Sequence, residues 1–380
     1  MVSHKKAEKG FIQYKGSDFF RMRLALACLS HKSVRISEIN NGGSIPGISK
    51  SQNTLLKILE KITNGSHMVI AQSGTRVTFS PGVLLGGEHE INCPTDRGIG
   101  YYLEFLLYLA PFCKYPLEIT FKGVTDCKMD WSVDYIRSAF LPLVKRYIIR
   151  DDFALEVKKR GLQPRGGGEV YFKFPVIKQL RPTNLVEMGK VCKFRGVAFN
   201  VKCSADNSNK MIKAAKGLLT KFIPDVYITM DKKSAKGLCS GYGMSLVAET
   251  TEGCFLAAEA MTDPQGSGLP RSPEEIGKEA AMRLLDQIYL GGCVDQGSQA
   301  LMCLMMAMNS NNVVKCMTGP LHHCTIHMLR HIREMFGVKF ELRQVEVGGE
   351  DEVGGRKGIR NKVVMSCRGV ARQNIARRLR

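Results

Sequence analysis

The stretch Arg160-Gly161-Leu162-Gln163-Pro164-Arg165-Gly166-Gly167-Gly168-Glu169-Val170 has the composition of a loop that approaches a phosphate. Gly166, Gly167 and Gly168 carry no Cβ, so their backbone can take positive φ and turn successive N–H groups toward one point, the geometry of an anion-binding nest. Arg160 and Arg165 flank that concavity with positive charge. A Gly-rich hairpin connection between strand-like runs at Phe153–Lys159 and Glu169–Phe174 is the plainer reading of the same residues.

A second candidate is histidine-rich. Four of the eight histidines fall between His322 and His331, and His323, His327 and His331 recur every four residues. On a helix they share one face, a spacing that can ligate zinc. No H-E-x-x-H pattern or nearby carboxylate completes such a site, so no metal is expected. Arg330 and Arg333 make the same helix a candidate RNA-facing surface.

These groups sit in a chain of 380 residues that is 44% hydrophobic, enough for a sizeable core and two domains. Lys+Arg exceed Asp+Glu by 55 to 35, a net charge of +20 that calls for a polyanionic partner, nucleic acid first. No apolar run is long enough to span a membrane, and the opening Met1-Val2-Ser3-His4-Lys5-Lys6 is not followed by the apolar stretch of a secretory signal. Thirteen cysteines without a C-x-x-C pair fit free, buried thiols in a reducing compartment. After the acidic pair Asp351-Glu352 no acid follows, while nine basic residues lie from Arg356 to Arg380. The end, with Arg372, Arg377 and Arg378, reads either as a solvated tail or as an RNA contact.

The elements that must position these residues recur. Helix, strand, helix, strand, strand reads at Asp18–Ser30, Val34–Ile39, Ser51–Thr63, Met68–Ala71 and Thr75–Ser80. The order returns about 81 residues later from Ile99, through Leu117–Lys122 and Trp131–Tyr147 to the two strands that bracket the glycine loop. A third copy runs through Asp295–Met308, Val313–Met317, Leu321–Phe336, Val338–Glu346 and Lys362–Cys367. The fold expected is α/β (α+β): a large domain of three such repeats over 1–185 and 291–380, and a smaller α/β insert over 186–290 between the second and third.

Three repeats, the insert and the Arg160–Val170 loop together resemble the RNA 3′-terminal phosphate cyclase superfamily along nearly the whole chain, and most closely its eukaryotic cyclase-like branch. The residues that carry the resemblance are Ile45-Pro46-Gly47-Ile48, Asn64-Gly65-Ser66, Arg97-Gly98-Ile99-Gly100-Tyr101-Tyr102-Leu103-Glu104, Lys122-Gly123-Val124-Thr125, Ser245-Leu246-Val247-Ala248-Glu249-Thr250 and Gly291-Gly292-Cys293-Val294-Asp295-Gln296. In true cyclases a histidine is adenylated by ATP and AMP passes to an RNA 3′-phosphate, which closes to a 2′,3′-cyclic phosphate. The counterpart of their glycine-rich nucleotide loop is Lys15-Gly16-Ser17-Asp18-Phe19-Phe20-Arg21, in which most glycines are replaced. Asp18 stands where a Gln would be, and its carboxylate repels phosphates unless a metal intervenes. Arg21, Asp295 and Gln296 match and by resemblance mark the remnant of a nucleotide pocket. His322, three residues before Thr325, has the spacing of the catalytic histidine but lies in a shortened segment; the alternative is an exposed polar residue at a helix start.

By resemblance the chain is expected to be a non-catalytic ribosome biogenesis factor of the nucleus and nucleolus. It would serve 18S rRNA processing and small-subunit (40S) assembly within the small-subunit processome. The implied partners are a large assembly GTPase, pre-rRNA and a small nucleolar ribonucleoprotein, with no cofactor and no membrane. Two enzymatic alternatives stay open: an ATP-dependent RNA 3′-phosphate cyclase using His322 and a divalent metal, and a metal-independent pre-rRNA endonuclease. In the latter, Arg330, His331 and Arg333 would supply charge stabilisation and proton transfer to an in-line attack by a 2′-hydroxyl.

Overall fold

A computed structural model of the chain describes residues 10–43, 45–231, 237–264, 266, 271–346 and 361–378. The Met1–Lys6 opening, the Asp351-Glu352 pair and the last two residues of the basic end lie outside them.

The first repeat consists of β1 (Phe11–Lys15), α1 (Phe20–Ser30), β2 (Ser33–Ser37), α2 (Lys50–Ile62), β3 (Thr63–Asn64), β4 (His67–Ile70), β5 (Val77–Ser80) and β6 (Val83–Leu84). Its sheet has the order β1-β2-β5-β4, with β1 and β2 parallel and the other neighbours antiparallel; β3 and β6 form a separate small ladder. Local chemistry fixes α2. The Ser49 hydroxyl accepts the Gln52 N–H, the Gln52 side chain accepts the Ser49 N–H at 2.8 Å, and Leu55, Leu56, Ile58, Leu59 and Ile62 form one buried stripe.

The second repeat has the same plan: β7 (Gly87–Asn92), α3 (Gly100–Leu109), β8 (Leu117–Gly123), α4 (Val133–Tyr135), which runs through a π turn at Ile136–Phe140 into α5 (Leu141–Tyr147), then β9 (Ala154–Lys159) and β10 (Gly168–Phe174). The sheet order is β7-β8-β10-β9 with the same strand senses. Next come β11 (Val191–Val201), α6 (Ala205–Leu219), β12 (Val226–Met230), β13 (Gly241–Thr250), β14 (Phe255–Met261) and α7 (Pro273–Leu290), forming a sheet β12-β11-β13-β14 with both helices packed on it. The third repeat follows as α8 (Gln299–Met308), β15 (Val313–Thr318), α9 (His323–Phe336), β16 (Glu341–Glu346) and β17 (Asn361–Arg368), in the order β15-β17-β16.

Three repeats and an α/β insert are therefore present, with one addition: a parallel strand, β1 or β7, precedes the first helix in repeats one and two. In the third sheet its place is taken by Leu185, which pairs in parallel with Cys316 of β15. The chain thus joins the third sheet before it leaves for the insert. β1 and β7 escape a hydrophobicity reading because each is an edge strand with one buried side chain, Tyr14 and Ile91 respectively.

The helices of the three repeats share one core. α8 is buried on every side, which accounts for its methionine-rich run. The insert has its own cluster around Phe194, Met211, Leu246, Leu256 and Ile276, while Val247, Cys254 and Ala257 of β13 and β14 pack into the main core. All thirteen cysteines carry free thiols, most of them buried. Among the described residues no helix is long and apolar enough to cross a membrane.

Candidate functional site

A cleft of about 1060 Å³ opens between the repeats and the insert. Asp18 and Phe19 of the β1–α1 loop, Arg21 of α1, Arg97 and Tyr101 at the start of α3, and His322 before α9 line the repeat side; Glu259 of β14 and Arg283, Asp286 and Gln287 of α7 line the other. Arg21, Gln296 and His322, far apart in sequence, come together here.

The charges of the cleft are largely satisfied by one another. Arg21 pairs with Glu104 at 3.0 Å, and Arg97 donates to Asp130 at 2.8 Å. Both guanidinium groups sit over the Tyr101 ring, 4.3 and 4.5 Å from its centroid. Lys128 pairs with Asp263, and Arg271 and Arg283 both pair with Glu279. Among the described residues Asp18 and Asp286 have no cation within pairing distance. The Glu259 carboxylate accepts the Ser132 N–H at 3.1 Å, and burial, reinforced by Asp126 and Asp134, pushes its pKa up to about 8. Near neutral pH this wall therefore carries a protonated carboxyl group. A phosphate entering the cleft meets free carboxylates and no uncommitted cation among the described residues. Among those residues no group of three or more His, Cys, Asp or Glu side chains is placed to hold a metal ion.

Arg160 stands elsewhere than expected. It is 1% exposed, and its guanidinium is divided among Asp126 at 2.9 Å, Asp134, and Asp231 of the insert at 2.6 Å, beneath the Phe199 ring. Its expected role as a loop cation for phosphate is corrected: three carboxylates surround a buried charge that has no route to an external anion. Arg165 is exposed. Gly166 and Gly167 do take positive φ, +66° and +78°, but the Gly166 N–H is spent on Leu162 O at 2.8 Å and Gly168 is paired with Gly123 as the first residue of β10. A Cβ on Gly161 would lie 2.1 Å from Gly168 N, so the glycines let two backbone segments pass in contact.

Asp295 is buried and internal. It accepts N–H groups from Ala257 at 3.0 Å and Ser298 at 2.8 Å, tying β14 to the approach to α8, and burial holds its pKa above the usual value. Gln296 lines the cleft and donates its backbone N–H to Gln287. His322 is the N-cap of α9: its Nδ1 accepts the Cys324 N–H at 3.3 Å, and burial beside His323 lowers its pKa. In this arrangement the neutral ring is the Nε2–H tautomer, with its Nδ1 lone pair directed at the Cys324 N–H at the helix start.

The histidine face of α9 packs on Phe19, which has φ +57°. Ring centroids lie 5.4, 4.1 and 6.1 Å from Phe19 for His323, His327 and His331. His331 is 6% exposed, meets the Tyr14 ring edge-on, and is pushed down to about 4 by burial and the nearby Arg23. This corrects its assignment as a proton shuttle for external RNA, because its ring faces the core; Arg330 and Arg333 remain exposed. The basic end is also docked rather than trailing. Arg372 donates to Leu29 O and to His31, Asn374 is buried with its side chain on Cys113 O, and the Arg378 N–H donates to Lys114 O. Arg377 is half-buried and Arg378 exposed.

Sequence reasoning did not single out Glu259, the Asp126–Asp134–Asp231 trio, or the cluster of Arg21 and Arg97 on Tyr101. The last had a signal: Arg97, Tyr101 and Glu104 follow at helical spacing in one glycine-punctuated motif.

A family model described as RNA 3′-terminal phosphate cyclase matches residues 12–342. The chain is 42% identical over 372 residues to the RNA 3′-terminal phosphate cyclase-like protein of Bos taurus, covering 97% of this chain and 98% of that protein, with the same figures for the Homo sapiens protein of that name. It is 36% identical over 373 residues to an rRNA processing protein of Schizosaccharomyces pombe, covering 97% of this chain and 98% of that one. The family match over residues 12–342, with 42% identity to cyclase-like proteins along almost the whole chain, places this chain in the RNA 3′-terminal phosphate cyclase family.

Proposed function

We propose that the chain is an rRNA processing factor of the nucleolus that serves 18S rRNA maturation and small-subunit assembly without cyclising RNA ends. In this reading it works in the small-subunit processome with a large GTPase, on pre-rRNA held with a small nucleolar ribonucleoprotein, and residues 186–290 act as an inserted unit that closes the cleft. Likeness to the rRNA processing protein of Schizosaccharomyces pombe supports the process. The observation that carries the non-cyclase part is the pairing of Arg21, Arg97, Lys128, Arg271 and Arg283 with cleft carboxylates or their neighbours. Nucleotidyl transfer needs donors free to meet charge as it develops on phosphorus.

Incubation with radiolabelled ATP and a divalent metal tests this. No acid-labile protein–AMP adduct is expected; an adduct that forms in the unmodified protein and disappears in His322→Ala overturns the reading and makes the chain a cyclase.

A further inference from the structure

From α6 we infer that the insert carries a docking face for the phosphodiester backbone of RNA. The inference rests on the rRNA reading above and adds where the RNA lies. Ser208, Met211, Ala215 and Leu219 form the buried stripe of α6, and the opposite face is solvent. Near its start Asp206 neutralises Lys210 at 3.0 Å. Beyond that pair come Lys213, exposed, Lys216, half-buried at the edge of this face, and Lys221, exposed just past the helix end, and among the described residues none has a carboxylate within ion-pair distance. The lysines and arginines of the cleft wall are spent on neighbours; these three are not.

Gly217 lies among them, four residues after Lys213 and one turn before Lys221. Glycine inside a helix is destabilising relative to alanine. A Cβ added to Gly217 would meet nothing within 4 Å, and its φ is not positive, so neither packing nor backbone conformation in this fold requires it. What glycine provides is bare backbone between lysines, where a bulky polyanion can approach closely. Phe222, 55% exposed, follows Lys221 and offers one ring for a base to stack on. Lysines are flexible point charges, which suits a phosphate backbone read without sequence choice.

The test uses the full-length protein and a fluorescein-labelled single-stranded RNA of about 20 nucleotides, read by anisotropy at several salt concentrations, since each phosphate contact on a single strand contributes about −0.7 to the slope of log affinity against log salt. Lys213→Glu/Lys216→Glu/Lys221→Glu is expected to weaken binding at least tenfold at low salt and to flatten the slope by two to three contacts. A control of equal charge change, Lys32→Glu/Lys57→Glu/Lys339→Glu, is expected to change affinity less than threefold. Gly217→Met is expected to melt no lower than the unmodified protein and to bind several-fold more weakly. Equal binding by the α6 variant and the control overturns the surface while leaving the rRNA reading intact. An unmodified protein that binds no RNA overturns both. Polyglutamate that binds as tightly as RNA, and is lost in the same variant, overturns RNA as the occupant in favour of an acidic protein.

Discussion

Replacing Arg160 with alanine should destabilise the protein severely and loosen the joint between the second repeat and the insert. The guanidinium is 1% exposed and is shared by Asp126, Asp134 and Asp231, of which the first two are 1% and 3% exposed. Removing one partner of a buried charge pair costs about 3–5 kcal/mol because an uncompensated charge is left behind, and in this cluster two deeply buried carboxylates lose their common cation. Asp231 is the insert's share of the cluster, so the loss also reaches the cleft. Urea unfolding followed by the fluorescence of Trp131, the only tryptophan, reports it directly, because that ring stacks on Tyr135 at 4.3 Å in the cleft wall. The deficit should depend on pH. Burial already holds Asp126 above its usual pKa, and loss of Arg160 raises it further. A group whose folded pKa lies above its unfolded one supports the fold below the unfolded value and ceases to as pH rises through the folded value. The Arg160→Ala deficit should therefore shrink as pH falls. A variant with the unmodified midpoint at pH 8, or a deficit that grows toward acid, would refute this reasoning.

Glu259→Gln should be more stable than the unmodified protein at pH 9, since the raised carboxyl favours the fold below about pH 4.5 and loses that support as pH climbs through about 8; thermal melts should converge near pH 5. His331→Phe should remove an acid sensitivity: the buried ring supports the fold above pH 6.5, and this support is lost as pH falls toward about 4, by at most about 1.4 kcal/mol per pH unit. Gly161→Ala should cost about 1–3 kcal/mol in chemical denaturation, because its Cβ would press on the Gly168 and Gly123 backbone, while exposed Gly217→Ala should gain up to about 1 kcal/mol.

Periodicity and turn chemistry carried most of the fold. α2 was readable over Ser51–Thr63 because Leu55, Leu56, Leu59 and Ile62 recur at helical spacing, and the structure adds a capping box at Ser49 that starts it. β1 and β7 were not, since edge strands with one buried residue show no alternation. The site was less legible. Arg160 reads as a loop cation until Asp126, Asp134 and Asp231, distant in sequence, converge on it; Arg372 reads as tail until it meets Leu29 and His31. Charge pairing across tens to hundreds of residues leaves no local pattern. Phe19 hides the same way: nothing in Asp18-Phe19-Phe20 announces a left-handed residue on which three histidines pack.

Depletion of the chain from the cells that make it, with mature rRNAs measured by hybridisation and the loss complemented by unmodified or His322→Ala protein, tests the non-catalytic role in rRNA processing most directly. On depletion 18S rRNA should fall while the large-subunit rRNAs hold, and His322→Ala should restore it as fully as the unmodified protein. Unchanged 18S rRNA on depletion, or a folded His322→Ala protein that fails to restore it, would contradict that role.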